Sequence, residues 1–549
     1  MSLRPTVLIV VASLVVATVF AVPAAAQVNT GTIEVNTNGP EGGALPGVAV
    51  RVANTETGAR RATVSDARGL AIVPALDPGG YEVSVSLSGF APAEQKIVVR
   101  LGQTAKIAFS MSVLVTASIS VTAQVPMVDV YKSDTSTNVT PEQIRDLPVP
   151  SRDFQKLAFI APGVQRERGG FRFIGGSALI GSSGNASETA IVIDGVDFTD
   201  QVLGLARASF SQDAIGEFKV VNNRFDTEIG SSAGGALSVV TKSGTNTVHG
   251  SVFGFYRSDA LRALGELEEG TQDYGRYQLG FTLGGPITRD RTHYFVSYEY
   301  INEDSITFFR PQGAFADLAE DFPVPVSAHL GLASLDHQIG AEQKLGFTLV
   351  YEKFGMENFR VGGTADQSAG MQLIRENWNL VAGHDWIAAD NKLNSIRFQI
   401  GRKFFEEPAN SDRLAEYFTF GSTLITGANV VGDQEMTGDY ISLSDTFSWY
   451  LGGARSSHEL KLGASITSIE EKWRWPLYPQ GLMMYVTDSR AIPYLYSYFV
   501  GTTDLEVDTT VFGIFAQDHW RLSSDLSLSF GLRYDYDTDG NNPDFDDSP

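Results

Sequence analysis

The stretch "LSLSFGLRYDYD" (Leu526–Asp537) decides how the rest of the chain is read. Its even positions, Leu526, Leu528, Phe530, Leu532, Tyr534 and Tyr536, are large and apolar. Its odd positions, Ser527, Ser529, Gly531, Arg533, Asp535 and Asp537, are small or polar. Side chains alternate faces along a β-strand, so this is a strand with one oily and one wet face. The question is whether the oily face meets a protein core or lipid.

Working outward, the bulk properties narrow the options. At 549 residues the chain exceeds one ordinary core, so several domains are expected. A formal net charge of -23 speaks against nucleic-acid binding, which needs a basic face. With no cysteine, the chain has no disulfide scaffold, thiol nucleophile or cysteine zinc site. Aromatics at 11% and 55 glycines lean toward β-structure.

Residues 1–26 read as a cleaved signal peptide. Arg4 supplies the positive start, Val7–Val22 the apolar run, and "PAAAQ" a small-residue cleavage site after Ala26. No later segment has the ~18 consecutive apolar residues of a spanning helix.

Residues 27–113 show short alternating strands punctuated by Pro-Gly and Thr-Gly turns, with Val48, Val50 and Val52 sharing a face. A small β-sandwich is expected. Residues 114–245 read as a linker and a mixed α/β domain. Thr140, Pro141 and Gln143 spell a capping box with Pro at the first helical position. In "SRDFQKLAFIAPG", Ser151 is the expected cap and Phe154, Leu157 and Ala158 an apolar stripe. "TAIVIDGVDF" gives two short strands around an Asp194-Gly195 turn, and "QDAIGEFKVV" a short helix running into a strand.

From residue 246 the texture changes to long alternating strands. "YQLGFTLG" sets Tyr277, Leu279, Phe281 and Leu283 against Gln278, Gly280, Thr282 and Gly284. "HYFVSYEY" sets Tyr294, Val296, Tyr298 and Tyr300 against His293, Phe295, Ser297 and Glu299. "HELKLGAS" sets Leu460, Leu462 and Ala464 against Glu459, Lys461, Gly463 and Ser465. Some eleven to thirteen such segments are expected, each near the ~10 residues that cross a bilayer when tilted.

A soluble sandwich also alternates. The length of these segments, their polar second face and the export signal favour a membrane barrel, since backbone groups in lipid must be paired within a closed sheet. The fold expected is mainly β: a small sandwich, a mixed α/β domain, and residues 246–549 as part of an antiparallel transmembrane barrel in the bacterial outer membrane.

Particular stretches carry resemblances. "LPGVAVRVANTETG", "SDARGLAIVPALDPGGYEVSVSLSGF" and "LGQTAKIAFSM" resemble the carboxypeptidase regulatory-like domain. That implies a sandwich and not peptidase activity, and no histidine here is followed by Glu three residues on. Asp213–Leu261, with its Thr-Lys-Ser-Gly-Thr-Asn motif and His249-Gly250, resembles the plug-to-barrel junction of Oar-like TonB-dependent outer-membrane receptors. "LPVPSRDFQKLAFIAPGV", "IVIDGVDFTD" and "LGGPITRDRTHYFVSYEY" are similar to their plug and first barrel hairpin.

The resemblance implies energised transport of a large unknown extracellular ligand through a plugged barrel, with TonB and outer-membrane lipid as partners and no cofactor. It implies a TonB box near Ser118, Ile119, Ser120, Val121, Thr122 and Ala123, where the alternative is a last sandwich strand or linker. In the plug, Arg166, Arg168, Phe171 and Arg172 are ligand-contact candidates, the alternative being pairing with acidic wall residues. Plugged barrels of this kind close with about 22 strands. The chain offers about half of these, so it reads as part of a longer product or a degenerate copy, unable to insert alone.

No enzyme is expected. "GSSAG" (Gly230–Gly234) matches G-x-S-x-G, but a strand-like run follows Ser232 where a nucleophile elbow needs a helix. The seven histidines are scattered, and Asp535, Asp537, Asp539, Asp544, Asp546 and Asp547 read as a solvated acidic loop more than a calcium site. A second functional class, a surface structural or adhesion protein without transport, remains open.

Overall fold

In the computed structural model the described residues are 30–113, 135–149, 152–166, 178–180, 189–200, 206–223, 226–230, 232, 234–261, 274–389, 391–452, 456–501, 503–523 and 526–538. The signal-peptide reading lies outside them.

The N-terminal strands form two facing sheets. One orders Leu70–Leu76, Gly31–Asn38 and Thr104–Ser110; the other orders Arg60–Val64, Ala49–Asn54, Gly79–Ser86 and Ala93–Val99. Val48, Val50 and Val52 point into the space between them and are at most 1% exposed. They meet Ile33, Val35, Val83, Ile107 and Phe109 in one apolar core. Alternation thus buries one face of each sheet.

A second core follows. A five-stranded sheet orders Val196–Asp197, Thr189–Ile193, Gly235–Thr241, Ile215–Asn223 and Thr135–Val139. Asp194 and Gly195 both take positive φ, +48° and +84°, as a two-residue type I′ hairpin turn requires. The Pro141–Asp146 helix has its capping box: Gln143 N donates to Thr140 Oγ1 and Thr140 N to Gln143 Oε1. Phe154–Ile160 is a 3-10 helix whose cap is Asp153, not Ser151, because the Asp153 carboxylate accepts the Gln155 N–H at 3.1 Å. Ser151 lies outside the described residues. The expected stripe of Phe154, Leu157 and Ala158 is fully buried, with Phe154 stacked 4.8 Å from Phe210.

The third unit is an antiparallel sheet of eleven strands in chain order, from His249–Ser258 to Ser527–Asp537. Its strands run from 10 to 19 residues, against ~5–6 in ordinary sheets. Met371–Ala389, at 19 residues, is among the longest of these strands. Asp535 and Asp537 belong to the last strand, where Arg533 and Thr509 engage them, rather than to an acidic loop. Among the described residues the first and last strands of this sheet are not paired with one another.

Burial answers the opening question. Tyr277, Leu279, Phe281 and Leu283 are exposed, while Gln278 between them is 4% exposed. Leu532 is 77% exposed, whereas Arg533 beside it reaches inward to the plug. The apolar face points away from protein and the polar face toward it, the polarity of a membrane barrel. Phe295 breaks the pattern on the polar face for a clear reason. With Leu332, Val350 and Val381 it joins Phe154, Phe198 and Phe218 in the core of the second unit, which therefore sits inside the curved sheet as its plug.

Candidate functional site at the plug and wall

The site is built from inward side chains of the wall strands and the plug loops they hold. Period-two alternation aims these side chains at the lumen, and outside the apolar patch of Phe295, Leu332, Val350 and Val381 their chemistry is mainly polar.

Lys403, on Lys392–Glu407, places Nζ 2.9 Å from Asp200 Oδ2 of the plug and 2.8 Å from Glu471 on Ser457–Arg474, two strands along the wall. Glu352, 1% exposed, pairs with Arg375 at 2.9 Å and accepts from Asn377 at 3.0 Å and the plug's Ser209 N–H at 3.2 Å. Glu299 accepts from plug Ser211 and wall Gln278. The Arg207 guanidinium of the plug lies 4.0 Å over the Tyr440 ring. Each of these buried charges therefore has a partner, as low-dielectric surroundings demand.

The densest contact is a latch over the plug segment Asp226–Glu228. Asp226 faces Lys461 at 3.4 Å and His519 at 3.5 Å, and accepts from Gln517 at 2.9 Å. Gln517 Oε1 in turn accepts from both N and Oγ1 of Thr227 at 2.8 Å. Arg533 donates to the Thr227 and Glu228 carbonyls at 3.4 and 3.3 Å. Three adjacent wall strands thus grip three plug residues.

Electrostatics divides the two carboxyls. Burial pushes Asp226 up, but Lys461, His519 and Gln517 outweigh it and hold the carboxyl well below its usual range. Burial pushes Glu228 up to about 7, against the pull of Lys461. Glu228 Oε2 lacks a hydrogen-bond partner, with Lys461 Nζ 3.7 Å away. One lysine serves two carboxylates, so the second keeps its proton more readily.

The Thr-Lys-Ser-Gly-Thr-Asn motif forms the junction of plug and wall. A Cβ on Gly244 would sit 2.3 Å from the Tyr294 carbonyl oxygen and 2.8 Å from that of Gly285, so only glycine lets the chain pass so close to the wall. Asn246 Oδ1 accepts from Asp290 N at 2.7 Å and lies 2.9 Å from His293 Nε2, while Asn246 N donates to Glu56 O of the sandwich at 2.8 Å. Thr348 of the wall donates at 3.0 Å to Asp194, whose carboxyl burial pushes up.

Of the residues singled out in sequence, Arg166 ends the short strand Val164–Arg166, opposite Ala178. Arg168, Phe171 and Arg172 lie outside the described residues, as do all of Ser118–Ala123. Ser232 Oγ donates to Gly235 O at 2.7 Å as a turn residue. The grip residues Asp200, Asp226, Glu228, Lys403, Gln517 and Arg533 escaped sequence reasoning. For Lys403, Gln517 and Arg533 the one sequence signal was a charge or amide on the wet face of a strand, as with Lys461; the plug carboxylates lie outside the strands and carried none.

Comparison with known proteins agrees with this geometry. Residues 30–112 match the carboxypeptidase regulatory-like domain. Residues 240–316 and 324–544, more than half of the chain, match the outer membrane beta barrel domain. The TonB-dependent transporter Oar of Myxococcus xanthus is 29% identical over 255 residues, 43% of this chain and 23% of that protein. In fold, the chain is similar to the outer membrane transporter YddB from Escherichia coli, with TM-score 0.57 and 14% identity over 73% of this chain and 56% of that one. It is also similar to the ferripyoverdine receptor of the Pseudomonas aeruginosa outer membrane, solved bound to ferripyoverdine, with TM-score 0.54 and 12% identity over 75% of this chain and 53% of that one. The chain spans about a quarter of the curated relative's length and just over half of the two solved ones. These relatives are transporters and receptors, not enzymes. With a sheet greasy outside, polar inside and filled by a plug, the chain belongs to the outer membrane beta barrel domain family.

Proposed function

We propose that this chain supplies the sandwich, plug and first barrel strands of a TonB-dependent outer-membrane receptor that moves a large ligand, inward or outward, past its plug. One observation carries the reading. Beyond one apolar patch at Phe295, Leu332, Val350 and Val381, the plug is held by polar bonds and ion pairs to the wall along the sheet, from Glu299 to Arg533. Such contacts separate and re-form at lower cost when water enters, unlike an apolar core.

Ser118–Ala123, between sandwich and plug in sequence, is the proposed TonB box, adding a strand to TonB's sheet. Arg166, at the end of Val164–Arg166, and Arg168, Phe171 and Arg172, which follow it in sequence, are the proposed ligand contacts. The test is titration of purified TonB periplasmic domain against the full-length protein with and without residues 118–123. Loss of binding on deletion is expected; equal binding overturns the assignment.

A second reading, an adhesion protein, draws on the long-loop end, which faces outward in outer-membrane barrels. There Tyr494, Tyr496 and Tyr498 are exposed on and beside the edge strand Pro493–Ser497. Adhesion predicts partner binding that survives collapse of the proton gradient and leads to no uptake.

A further inference from the structure

We propose that the N-terminal sandwich is an inner lid: it seats across the short-turn mouth of the barrel and has to lift before the plug can move. The proposal rests on the transport reading only in taking the lumen as the path.

The seat reaches every short turn of the described sheet. At the first, Gly58 packs so near Asp290 that a Cβ there would lie 1.9 Å from Oδ1. At the second, Arg61 donates to the Ala341 carbonyl and Asp77 pairs with Lys344 at 2.8 Å. Ala75 packs against the buried pair of Leu393, beside the third, and Phe447, toward the fourth. Gly452, at the fourth, lies close to Asp66 and Arg68. Near the fifth, Arg521 pairs with Glu34 at 2.7 Å. A domain tethered only by its linker has no reason to touch five successive turns; one shaped to close a mouth does.

The same domain also holds the plug. Its Arg100–Gln103 turn inserts Leu101, wholly buried, against the plug sheet. Leu101 N donates to Glu217 Oε2 at 3.0 Å and its carbonyl accepts from Asn138 Nδ2 at 3.0 Å. Glu217 is a buried carboxyl that loses this donor if the sandwich lifts. Sandwich, plug and wall together border a cavity of about 760 Å³, lined by Asp77, Lys344, Asp194, Thr348 and Arg397 among others. Matter leaving the lumen on this side meets the sandwich next. Polar and ionic seat contacts suit a lid that reopens, because water can replace each of them.

Hydrogen exchange on the purified full-length protein tests the seat without ligand or TonB. In the variant Asp77→Lys with Arg521→Glu, the plug strand Ile215–Asn223 is expected to exchange at least tenfold faster than in the parent. In Asp77→Cys with Lys344→Cys, joined by a reducible bis-methanethiosulfonate linker, it is expected to stay at or below the parent rate; residues 1–549 contribute no other cysteine. Equal exchange in all three overturns the lid. A second readout is K⁺ current in planar bilayers. Breaking the latch by Lys461→Ala with Gln517→Ala is expected to raise the current only when the sandwich seat is broken too. If the latch variant alone conducts as well as the combination, the sandwich is no barrier. Failure of TonB binding in the earlier test leaves both readouts intact, so the two claims fail separately.

Discussion

Asp200 of the plug and Lys403 of the wall form a 2.9 Å ion pair, with both side chains at most 6% exposed. The lysine serves Glu471 as well, so a single ammonium joins the plug to two wall strands. Removing it takes the shared cation from two carboxylates, one of them deeply buried. Lys403→Met is expected to cost ~3–5 kcal/mol of plug docking. Adding Asp200→Asn should recover most of the loss. Protease resistance of the plug in graded urea measures both, and equal resistance in parent and Lys403→Met would show that the pair contributes nothing.

The latch carries a pH dependence whose sign is set by Glu228. Its docked carboxyl titrates at about 7, above the ordinary 4.5, so docking takes up a proton between those values. Docking should therefore be strongest below about pH 4.5 on this account and weaken as pH rises through 7, by at most about 3 kcal/mol. Asp226 acts oppositely: its lowered carboxyl stabilises docking above about pH 4 and loses that effect in stronger acid. Plug protection measured from pH 4 to 8 should fall on the alkaline side, and Glu228→Gln should flatten that limb. An unchanged slope in Glu228→Gln would remove Glu228 from the account.

Outward and inward positions on one strand should respond oppositely to charge and grease. Leu279→Arg, on the exposed face of Gly275–Thr288, should cost ~2–4 kcal/mol of stability in lipid if it lies near mid-membrane. Gln278→Leu, one residue away, should instead cost ~1–3 kcal/mol by taking a donor from buried Glu299. Urea midpoints of the full-length protein folded into vesicles report both. A harmless Leu279→Arg would place that face in water.

Local capping sets the stability of the plug's short helix. Thr140→Ala removes the acceptor for Gln143 N and should cost ~0.5–2 kcal/mol. The effect should be confined to faster hydrogen exchange over Pro141–Asp146, with the barrel strands unchanged.

Much of the architecture is legible without coordinates because it rests on local rules. Alternation alone separates Leu279 from Gln278 and Leu532 from Arg533, since neighbouring side chains on a strand have no choice but opposite faces. Thr140 with Gln143, and Asp194 with Gly195, announce a cap and a turn through bonds made within a few residues. Ser151 misled because Asp153 competes for the same task two residues later, and only the folded chain shows which carboxylate or hydroxyl reaches the free N–H.

The sequence by itself thus determined the strands, their two-faced character and the order of sandwich, α/β domain and long-stranded sheet, which follow from local patterns, while the plug reading came from a resemblance over longer stretches. Only the tertiary structure decided that the greasy face turns outward, that Phe295 is greasy inward because the plug covers it, and that Asp226 meets Lys461 across 235 positions. It alone seated the sandwich on the mouth, joining Glu34 to Arg521. The reason is physical: periodicity constrains which side a residue takes, whereas pairing between distant charges depends on the curvature of a whole sheet and on what fills it.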